Sequence, residues 1–257
     1  MLNENHPGTD LPIAGLQIRV RYPDGRRELM SRDQMVSLVQ NFSLNLDAID
    51  IEDIANRVYN GMYDGISSGE LDELLVQVPA ALTSSEPQCA RLAARFLDRV
   101  ILDEVEGQGI KDFLGCIQYG HACGIISDET VAFVTEHASV LNEAIDPKRA
   151  DLFLYFGLRT IYDRYLLRHP TSRKVFETPQ YFFLRVACGL SRTPEEAVEF
   201  YRLISSLEYL PSSPTLFNSG TSHPQMSSCY LLDSPADSLE AIYGKYMDVA
   251  QLSKFAG

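Results

Sequence analysis

The sequence has no long apolar run, no excess of basic residues and no secretion signal. No apolar stretch reaches the roughly 18 residues that a membrane-spanning helix needs. Residues 1–8 lack the basic segment and the apolar core of a signal peptide, so we expect a cytoplasmic protein whose residues 1–15 form a disordered lead-in. The net charge of -13 argues against general binding to nucleic acid or to an anionic membrane surface.

Paired cysteines are also absent. An odd number of cysteines, none in a Cys-x-x-Cys pair, indicates reduced thiols in the cytoplasm when no secretion signal is present. Cys116, His121 and Cys123 lie close in the sequence, but their spacing fits no zinc site. We interpret these three as packing residues and expect no metal in this chain. The five cysteines are Cys89, Cys116, Cys123, Cys188 and Cys229.

Residues 212–229 combine small hydroxyl residues with two prolines and one glycine, which predicts a polar loop with a fixed course. The loop leads into Cys229-Tyr230-Leu231-Leu232, a short apolar run that predicts a buried strand starting at the cysteine. Hydroxyls and loop N–H groups can hold phosphate oxygens, and a thiol can perform redox or radical chemistry. The stretch is therefore either an anion pocket with a thiol in it, or a Ser/Pro loop followed by an ordinary core cysteine.

The order of residues in this loop resembles a known family. Ser-Pro-Thr-Leu-Phe-Asn-Ser-Gly-Thr at 213–221 and Pro-Gln-Met-Ser-Ser-Cys at 224–229 closely resemble the substrate-loop signature of the class I ribonucleotide reductase large (catalytic) subunit. Phe156-Gly157, Thr160 and Tyr165-Leu166-Leu167 resemble a second motif of the same subunit, which the resemblance implies to be structural. The resemblance runs from about residue 16 to residue 257.

The resemblance implies that Cys229 is one of two redox thiols that deliver electrons to the ribose 2′ position and close to a disulfide in each turnover. It implies that Ser213, Thr215 and Ser228 hold the diphosphate and the ribose of the substrate. The full enzyme would then reduce ribonucleoside diphosphates to their deoxy forms for DNA synthesis. A separate, metal-containing small subunit would supply the radical, and thioredoxin or glutaredoxin would be the reductant.

The N-terminal part of the chain predicts a β-hairpin followed by four helices. Residues 16–28 alternate apolar and polar side chains around the turn Tyr22-Pro23-Asp24-Gly25. Pro79 should kink or end the third helix. The helix starts are predicted at Ser31, at Asp50 or Ile51, after Ser68 as N-cap, and at Pro87.

This hairpin and its helices resemble the ATP-cone, the regulatory domain that binds ATP or dATP in many such enzymes. Asp24-Gly25-Arg26-Arg27-Glu28 follows the turn of that family, but Pro23 interrupts its basic pair and Gln34 stands where a phosphate-binding lysine is usual. Two interpretations stay open, a nucleotide sensor and a cap that binds no nucleotide. The residues implied in a sensor site are Arg21, Arg26, Glu28, Ser68 and Asp72.

Residues 107–210 are predicted to form a helical domain. Residues 110–142 should form two helices, the second capped by Ser127, and a further helix should begin at Thr193. A helix over residues 151–168 carries an aromatic stripe that we expect in the core. The stripe consists of Phe153, Tyr155, Phe156 and Tyr162.

The last predicted helix begins at Asp237 as N-cap, with Glu240 completing a capping box. An ordinary amphipathic helix explains its apolar stripe. The resemblance instead implies that residues 237–254 form a homodimer interface. A deoxynucleoside triphosphate (dNTP) effector that sets specificity would bind there, at Asp237, Ser238, Leu239 and Lys254.

We therefore expect a mainly α (α+β) fold. An ATP-cone-like domain would occupy residues 16–106, a helical domain 107–210, and the first strand and helix of a ten-stranded α/β barrel 211–257. Because a barrel cannot close from one strand, we expect the chain alone to be inactive, as a truncated form or the first half of a split subunit. It would need the remainder of the large subunit, downstream or as a separate chain. A non-catalytic nucleotide-binding regulator and a purely structural helical interaction module remain the alternatives.

Overall fold

A computed structural model describes residues 17–256, with the side chains of the last two excluded. The predicted lead-in at residues 1–15 lies outside this range. The described chain is mainly helical with one small three-stranded sheet. It divides between Leu97 and Asp98 into two compact units. No described helix is long and apolar enough to cross a membrane.

The sheet of the first unit has the strand order β2-β1-β3. β1 and β2 are antiparallel, with Ile18 opposite Met30, whereas β1 and β3 are parallel. Ile18 and Val20 are buried, which confirms the predicted strand alternation. Gly25 adopts φ +87° in the predicted turn, a conformation that suits glycine. The strands are β1 (Ile18–Arg21), β2 (Arg27–Met30) and β3 (Ile66–Ser67).

Helix caps in the first unit follow local side-chain chemistry. Ser31 and Asp50 are the N-caps of α1 and α2, and both helices begin where they were predicted to begin. The prediction for Ser68 was wrong by one residue, because Ser67 is the N-cap of α3 and forms a capping box with Glu70. A capping box needs the hydroxyl three residues before the glutamate, and only Ser67 has that spacing. The helices are α1 (Arg32–Phe42), α2 (Ile51–Gly61), α3 (Ser68–Leu82) and α4 (Cys89–Glu106), and the division between the two units falls within α4.

Two proline predictions concern these helices. Of the kink or end predicted at Pro79, the end does not occur, because α3 continues to Leu82. Pro79 is buried, and because it has no N–H, one hydrogen bond of the helix is not formed there. Pro87 is not the first residue of α4, because a turn precedes that helix and the Cys89 N–H donates to the Glu86 carbonyl at 2.9 Å.

The second unit is helical throughout its regular structure. Residues 110–142 contain parts of three helices rather than the two predicted, because His137 ends one helix and starts the next. Ser127 and Thr193 are N-caps, as predicted. Its helices are α5 (Phe113–Ala122), α6 (Asp128–Glu136), α7 (Ala138–Ala144), a 3-10 helix (Pro147–Leu152), α8 (Tyr155–Arg164), α9 (Pro179–Leu190), α10 (Pro194–Ser205), α11 (Ser213–Asn218) and α12 (Leu239–Ala256).

The predicted helix over residues 151–168 is shorter than expected. A 3-10 turn and an extended Leu154 precede α8, which ends at Arg164. This break changes which residues face inward. Phe153 and Tyr155 are buried as expected, but Phe156 is 67% exposed, so the prediction that it is a core residue was wrong.

α9 lies at the centre of the second unit. Phe182, Phe183 and Leu184 are fully or almost fully buried, and α10 packs along the same helix. Arg185 is the exception in this apolar helix, because its charged side chain is also fully buried. Its partners define the site described next.

Candidate functional site

The predicted substrate loop begins as a short helix. Residues 213–218, predicted as loop, form α11 with Pro214 in its first turn and Leu216 buried. Ser213 is exposed at the start of this helix, and its Oγ lies 2.9 Å from the hydroxyl of Tyr165. The ring of Tyr165 stacks on Phe217 with centroids 4.6 Å apart. Tyr165 therefore contacts α11 at both ends.

A buried ion pair fixes the end of α11 to α9. The Arg185 guanidinium donates to Glu177 Oε1 at 2.5 Å, and both side chains are fully buried. The same guanidinium donates to the Ser219 carbonyl at 2.6 Å. The second oxygen of Glu177 accepts the Leu167 N–H at 3.0 Å. Because each charge has its partner and hydrogen bonds, the pair is tolerated in the core and ties three separate segments together.

Two glycines allow the loop to lie directly on α9. A side chain at Gly189 would place its Cβ 2.2 Å from the backbone nitrogen of Gly220, a separation that real Cβ atoms do not show. Gly220 has φ +77°, a backbone conformation that side chains other than glycine rarely adopt. The Ser219 hydroxyl donates to the Val186 carbonyl at 2.8 Å and completes this contact.

The loop beyond α11 is held by residues 124–127 and by its own amides. The Ser222 N–H donates to the Ile125 carbonyl at 2.8 Å, and the Ser127 N–H donates to the Gly220 carbonyl at 3.3 Å. The Asn218 amide donates to the Gln225 carbonyl at 2.5 Å. Thr215, which is half-buried, donates weakly to the Met226 carbonyl at 3.4 Å. The course of the loop is thus fixed up to residue 226.

The strand predicted at residues 229–232 does not form. Ser228 and Cys229 are exposed, residues 229–232 have no regular structure, and Leu231 is 101% exposed. A strand needs a neighbour to accept its backbone hydrogen bonds, and the described residues provide none beside this run. Cys229 is therefore not the buried strand residue that the sequence predicted.

Cys229 nevertheless differs from the other cysteines in its accessibility. Of the five, which all lie within the described residues, it is the exposed one. Burial raises the pKa of Cys89 to about 11 and that of Cys188 to about 12. The pKa of Cys116 is also raised by burial, and its thiol lies 3.2 Å from the Phe176 carbonyl. Thiolate chemistry at neutral pH is therefore disfavoured at these three buried residues.

Three of the four residues predicted for the effector site, Asp237, Ser238 and Leu239, lie at the start of α12, and the structure does not bring Lys254 to them. The Ser238 hydroxyl accepts the Ala241 N–H at 3.2 Å, so Ser238 caps this helix and Asp237 does not. The predicted capping box was wrong for the same reason, since Ala241 and not Glu240 occupies the third helical position. Lys254 lies in the last turn of α12. Leu239, Tyr243 and Tyr246 are each at least 66% exposed, so this helix presents an uncovered apolar face.

The five residues predicted for an activity site gather at one end of the small sheet. Arg21 lies opposite Ser67 in the register of β1 and β3, next to Ser68 at the start of α3. The Arg26 guanidinium lies between Asp24 at 2.6 Å and Glu28 at 2.8 Å, and 4.8 Å from the ring centroid of Tyr22.

Tyr22 connects this cluster to Asp72. Burial, the nearby Glu28 and, less strongly, Asp72 raise the pKa of Tyr22. A neighbouring cavity of about 440 Å³ is lined by Glu28, Asp33 and Gln34, with no lysine or arginine in its lining.

No metal site is apparent in the part of the chain that the structure describes. Within residues 17–256, no group of three or more His, Cys, Asp and Glu side chains could hold a metal ion. His121, considered from the sequence as a packing residue, lies 2.8 Å from a carboxylate oxygen of Asp128.

Sequence reasoning missed Tyr165, Glu177 and Arg185 as residues of this site. Arg185 carried a usable signal, because a charged residue inside the apolar run of α9 is rarely buried without a partner. Glu177 could be recognised only once that partner was sought. Tyr165 belongs to the second motif, but that motif was interpreted as structural, so it did not indicate a contact with the loop.

Comparison with known proteins places the chain in a family. Residues 151–224 match the family described as the ribonucleotide reductase all-alpha domain. The chain is 37% identical over 246 residues to ribonucleoside-diphosphate reductase large chain 2 of Saccharomyces cerevisiae. It is 36% identical to the large subunit of Caenorhabditis elegans and 36% identical to that of Variola virus.

These alignments cover 91% of this chain but only 28%, 30% and 31% of the three relatives, respectively. The chain thus spans about a third of the length of the curated relatives that it matches. The matched family region contains α8, α9, α10 and α11, together with Arg185 and its partners. Residues 151–224 belong to the ribonucleotide reductase all-alpha domain family, and the chain as a whole is similar to the N-terminal portion of ribonucleotide reductase large subunits.

Proposed function

We propose that this chain supplies the substrate loop and one redox thiol of a ribonucleoside-diphosphate reductase large subunit. One observation carries the proposal: the exposed Cys229 follows a loop whose first half is fixed to α9 by a buried ion pair. An anchored loop can hold a ligand in one place, and an exposed thiol can react with it. The family relationship supplies the reaction class.

The proposed reaction balances with two thiols. Cys229 and a second cysteine in the remainder of the large subunit give up two electrons and two protons and form a disulfide. The substrate loses its 2′ hydroxyl as water and becomes a deoxyribonucleoside diphosphate. Thioredoxin or glutaredoxin then reduces the disulfide by thiol exchange, which restores both thiols. A radical from the metal-containing small subunit starts each turnover.

The hydroxyl groups of the loop are proposed to hold the substrate. Ser213 is exposed, and its Oγ lies beside the Tyr165 hydroxyl. When Tyr165 is the donor of that bond, the Ser213 hydroxyl proton is available to a phosphate oxygen. Ser228 and Thr215 are proposed to contact the ribose and the diphosphate. Thr215 would have to exchange its weak bond to the Met226 carbonyl for a bond to the ligand.

α12 is proposed to form a homodimer interface with a dNTP effector at its start. Its exposed apolar face is the supporting observation, because a row of exposed large apolar side chains marks interaction surfaces. Asp237, Ser238 and Leu239 would contact the effector at this end of the helix. Lys254 lies in the last turn, about 22 Å farther along α12, so the Lys254 that contacts the effector would be that of the facing helix in the dimer. In this arrangement the Asp237 carboxylate is available to a ribose hydroxyl, since it does not cap the helix.

Binding of ATP or dATP to the N-terminal unit is proposed at Arg21, Arg26, Glu28, Ser68 and Asp72. A nucleotide phosphate there would compete with Asp24 and Glu28 for the Arg26 guanidinium. The same ion pairs, together with the acidic lining of the neighbouring cavity, favour the second candidate, a cap that binds no nucleotide. Calorimetric titration of the protein with dATP, with Arg26→Gln as the comparison, decides between the two.

The proposed organisation keeps the sequence-based domain limits. Residues 16–106 would be the cone, 107–210 the helical domain and 211–257 the start of the barrel that the rest of the large subunit completes. A cytoplasmic location fits the redox chemistry, since reduced thiols are maintained there.

The assignment is tested with the complex that contains this chain, purified from its source cell. Reduction of CDP to dCDP is measured for Cys229→Ser and for the control Cys123→Ser, a half-buried cysteine at the end of α5. We expect activity to be lost in the first variant and retained in the second. Equal activity in both would refute the role of Cys229, and the absence of any co-purifying reductase subunit would favour the regulator.

A further inference from the structure

The segment from Arg164 to Lys174 is basic, although the protein as a whole carries a net charge of -13. We call this segment the basic hairpin. Its chain folds back on itself, because the His169 N–H donates to the Lys174 carbonyl at 2.8 Å and the Arg173 N–H donates to the His169 carbonyl at 3.0 Å. Arg168 and Val175 form an isolated antiparallel bridge at its base.

Arg168 fixes the basic hairpin to the end of α8. Its guanidinium donates to the Tyr162 carbonyl at 2.6 Å and to the Arg173 carbonyl at 3.2 Å. It also lies 4.7 Å from the ring centroid of Tyr162. Arg168 is therefore used inside the structure, and its bonds keep the backbone of Arg173 close to the end of the helix that carries Arg164.

The other three cations of the basic hairpin point to a binding role. Arg164, Arg173 and Lys174 are all exposed. No ion pair is formed by their side chains within residues 17–256, whereas the nearby Arg159 is paired with Asp163 at 2.8 Å. The short segment thus presents three uncompensated positive charges on an acidic protein, a focused field that attracts negative charge.

The internal bonds of the basic hairpin show which kind of anion fits. Nδ1 of His169 accepts the N–H groups of Thr171 at 3.2 Å and Ser172 at 3.1 Å. These backbone donors are therefore not available to wrap a single phosphate group, as they are in a phosphate-binding loop. Recognition is left to three long side chains spread along the hairpin, which suits several carboxylates spaced along a peptide.

We propose that the basic hairpin is a docking surface for an acidic segment of a partner protein. The net charge of -13 disfavours nucleic acid, whose long, uniform negative charge would meet repulsion around the patch. An acidic peptide needs only a few carboxylates within reach of Arg164, Arg173 and Lys174. This proposal is independent of the reductase assignment, since it rests on charge and hydrogen bonding alone.

The test uses the purified protein and a fluorescein-labelled hexaglutamate peptide, with binding followed by fluorescence anisotropy at low salt. The hairpin variant is R164Q/R173Q/K174Q. The matched control is K111Q/K148Q/R202Q, which removes the same charge from three exposed cations elsewhere in the second unit. All six positions are exposed, and circular dichroism verifies that both variants remain folded.

We expect the hairpin variant to bind the peptide about tenfold more weakly than the unaltered protein, and the control to stay within about twofold. Binding should also weaken as salt is added. Equal losses in the two variants, or no binding to the unaltered protein, would overturn the proposal. Tighter binding of a single-stranded hexanucleotide than of the peptide would also overturn it and would assign the surface to nucleic acid.

Discussion

Replacing Arg185 by methionine tests how the proposed substrate loop is held. The change leaves Glu177 buried without its cation and removes the donor to the Ser219 carbonyl. Removal of one partner of a buried ion pair costs about 3–5 kcal/mol, because the remaining charge is still out of water. We expect the free energy of unfolding of the second unit to fall by about this amount.

The assay is urea unfolding followed by circular dichroism, together with amide hydrogen exchange at Ser222. The Ser222 N–H is bonded to the Ile125 carbonyl, so its exchange should accelerate when the loop detaches from α9. Arg202→Met, on the exposed side of α10, is the control and should change stability by less than about 0.5 kcal/mol.

The double variant E177L/R185M distinguishes the effect of a buried charge left without its partner from the effect of lost packing. Because it removes both charges, it should be more stable than R185M alone. A loss below about 1 kcal/mol in R185M, or a double variant that is no better than R185M, would refute this account of the loop.

Three further predictions follow from the structure. Gly189→Ala should lower the free energy of unfolding by about 1–3 kcal/mol in urea unfolding, because the added Cβ meets the backbone of Gly220. Gly157→Ala is the control and should be neutral or stabilising, because Gly157 has open space around it. Burial and the nearby Asp151 raise the pKa of Asp98 to about 6. The folded state therefore binds a proton at Asp98 more tightly than the unfolded state does, and the free energy of unfolding should fall as pH rises from about 4 to 6. Asp98→Asn should therefore gain about 2–3 kcal/mol at pH 7 and much less at pH 4, and a pH-independent effect would contradict this origin. Iodoacetamide at pH 8 should alkylate Cys229 first, while Cys89, Cys116 and Cys188 react only after unfolding, as peptide mass spectrometry can show.

Helix starts could be predicted because their signals are local. Ser31, Asp50, Ser127 and Thr193 each cap a helix through a bond to a nearby N–H, and the sequence contains all of that information. Two of the failures, Ser68 and Asp237, occurred where two adjacent residues can both cap. In each case the neighbouring serine, Ser67 or Ser238, makes the bond.

The anchoring of the loop could not be predicted in the same way. The Arg185 guanidinium and the Ser219 carbonyl are 34 residues apart, and nothing local in either segment specifies the other. The resemblance directed attention to the hydroxyls and the thiol of the loop, but the residues that hold the loop lie on α9 and before it. A buried charge in an apolar helix is the signal that would have led to them.

The strand predicted at residues 229–232 shows a second limit of sequence analysis, because a local pattern predicted a structure that does not form. Its apolar, β-prone residues predicted a buried strand, but a strand is stable only beside a partner. Leu231 is fully exposed in the described chain, so composition alone did not determine the local structure.

The central claim is that Cys229 alternates between thiol and disulfide while substrate is reduced. The most direct measurement is a single turnover of the complex that contains this chain, with CDP present and external reductant omitted. Iodoacetamide is then added, and peptide mass spectrometry quantifies alkylated Cys229. We predict that Cys229 loses its reactivity in proportion to the dCDP formed and is recovered in a disulfide-linked peptide. Full alkylation of Cys229 after dCDP has formed would contradict the claim.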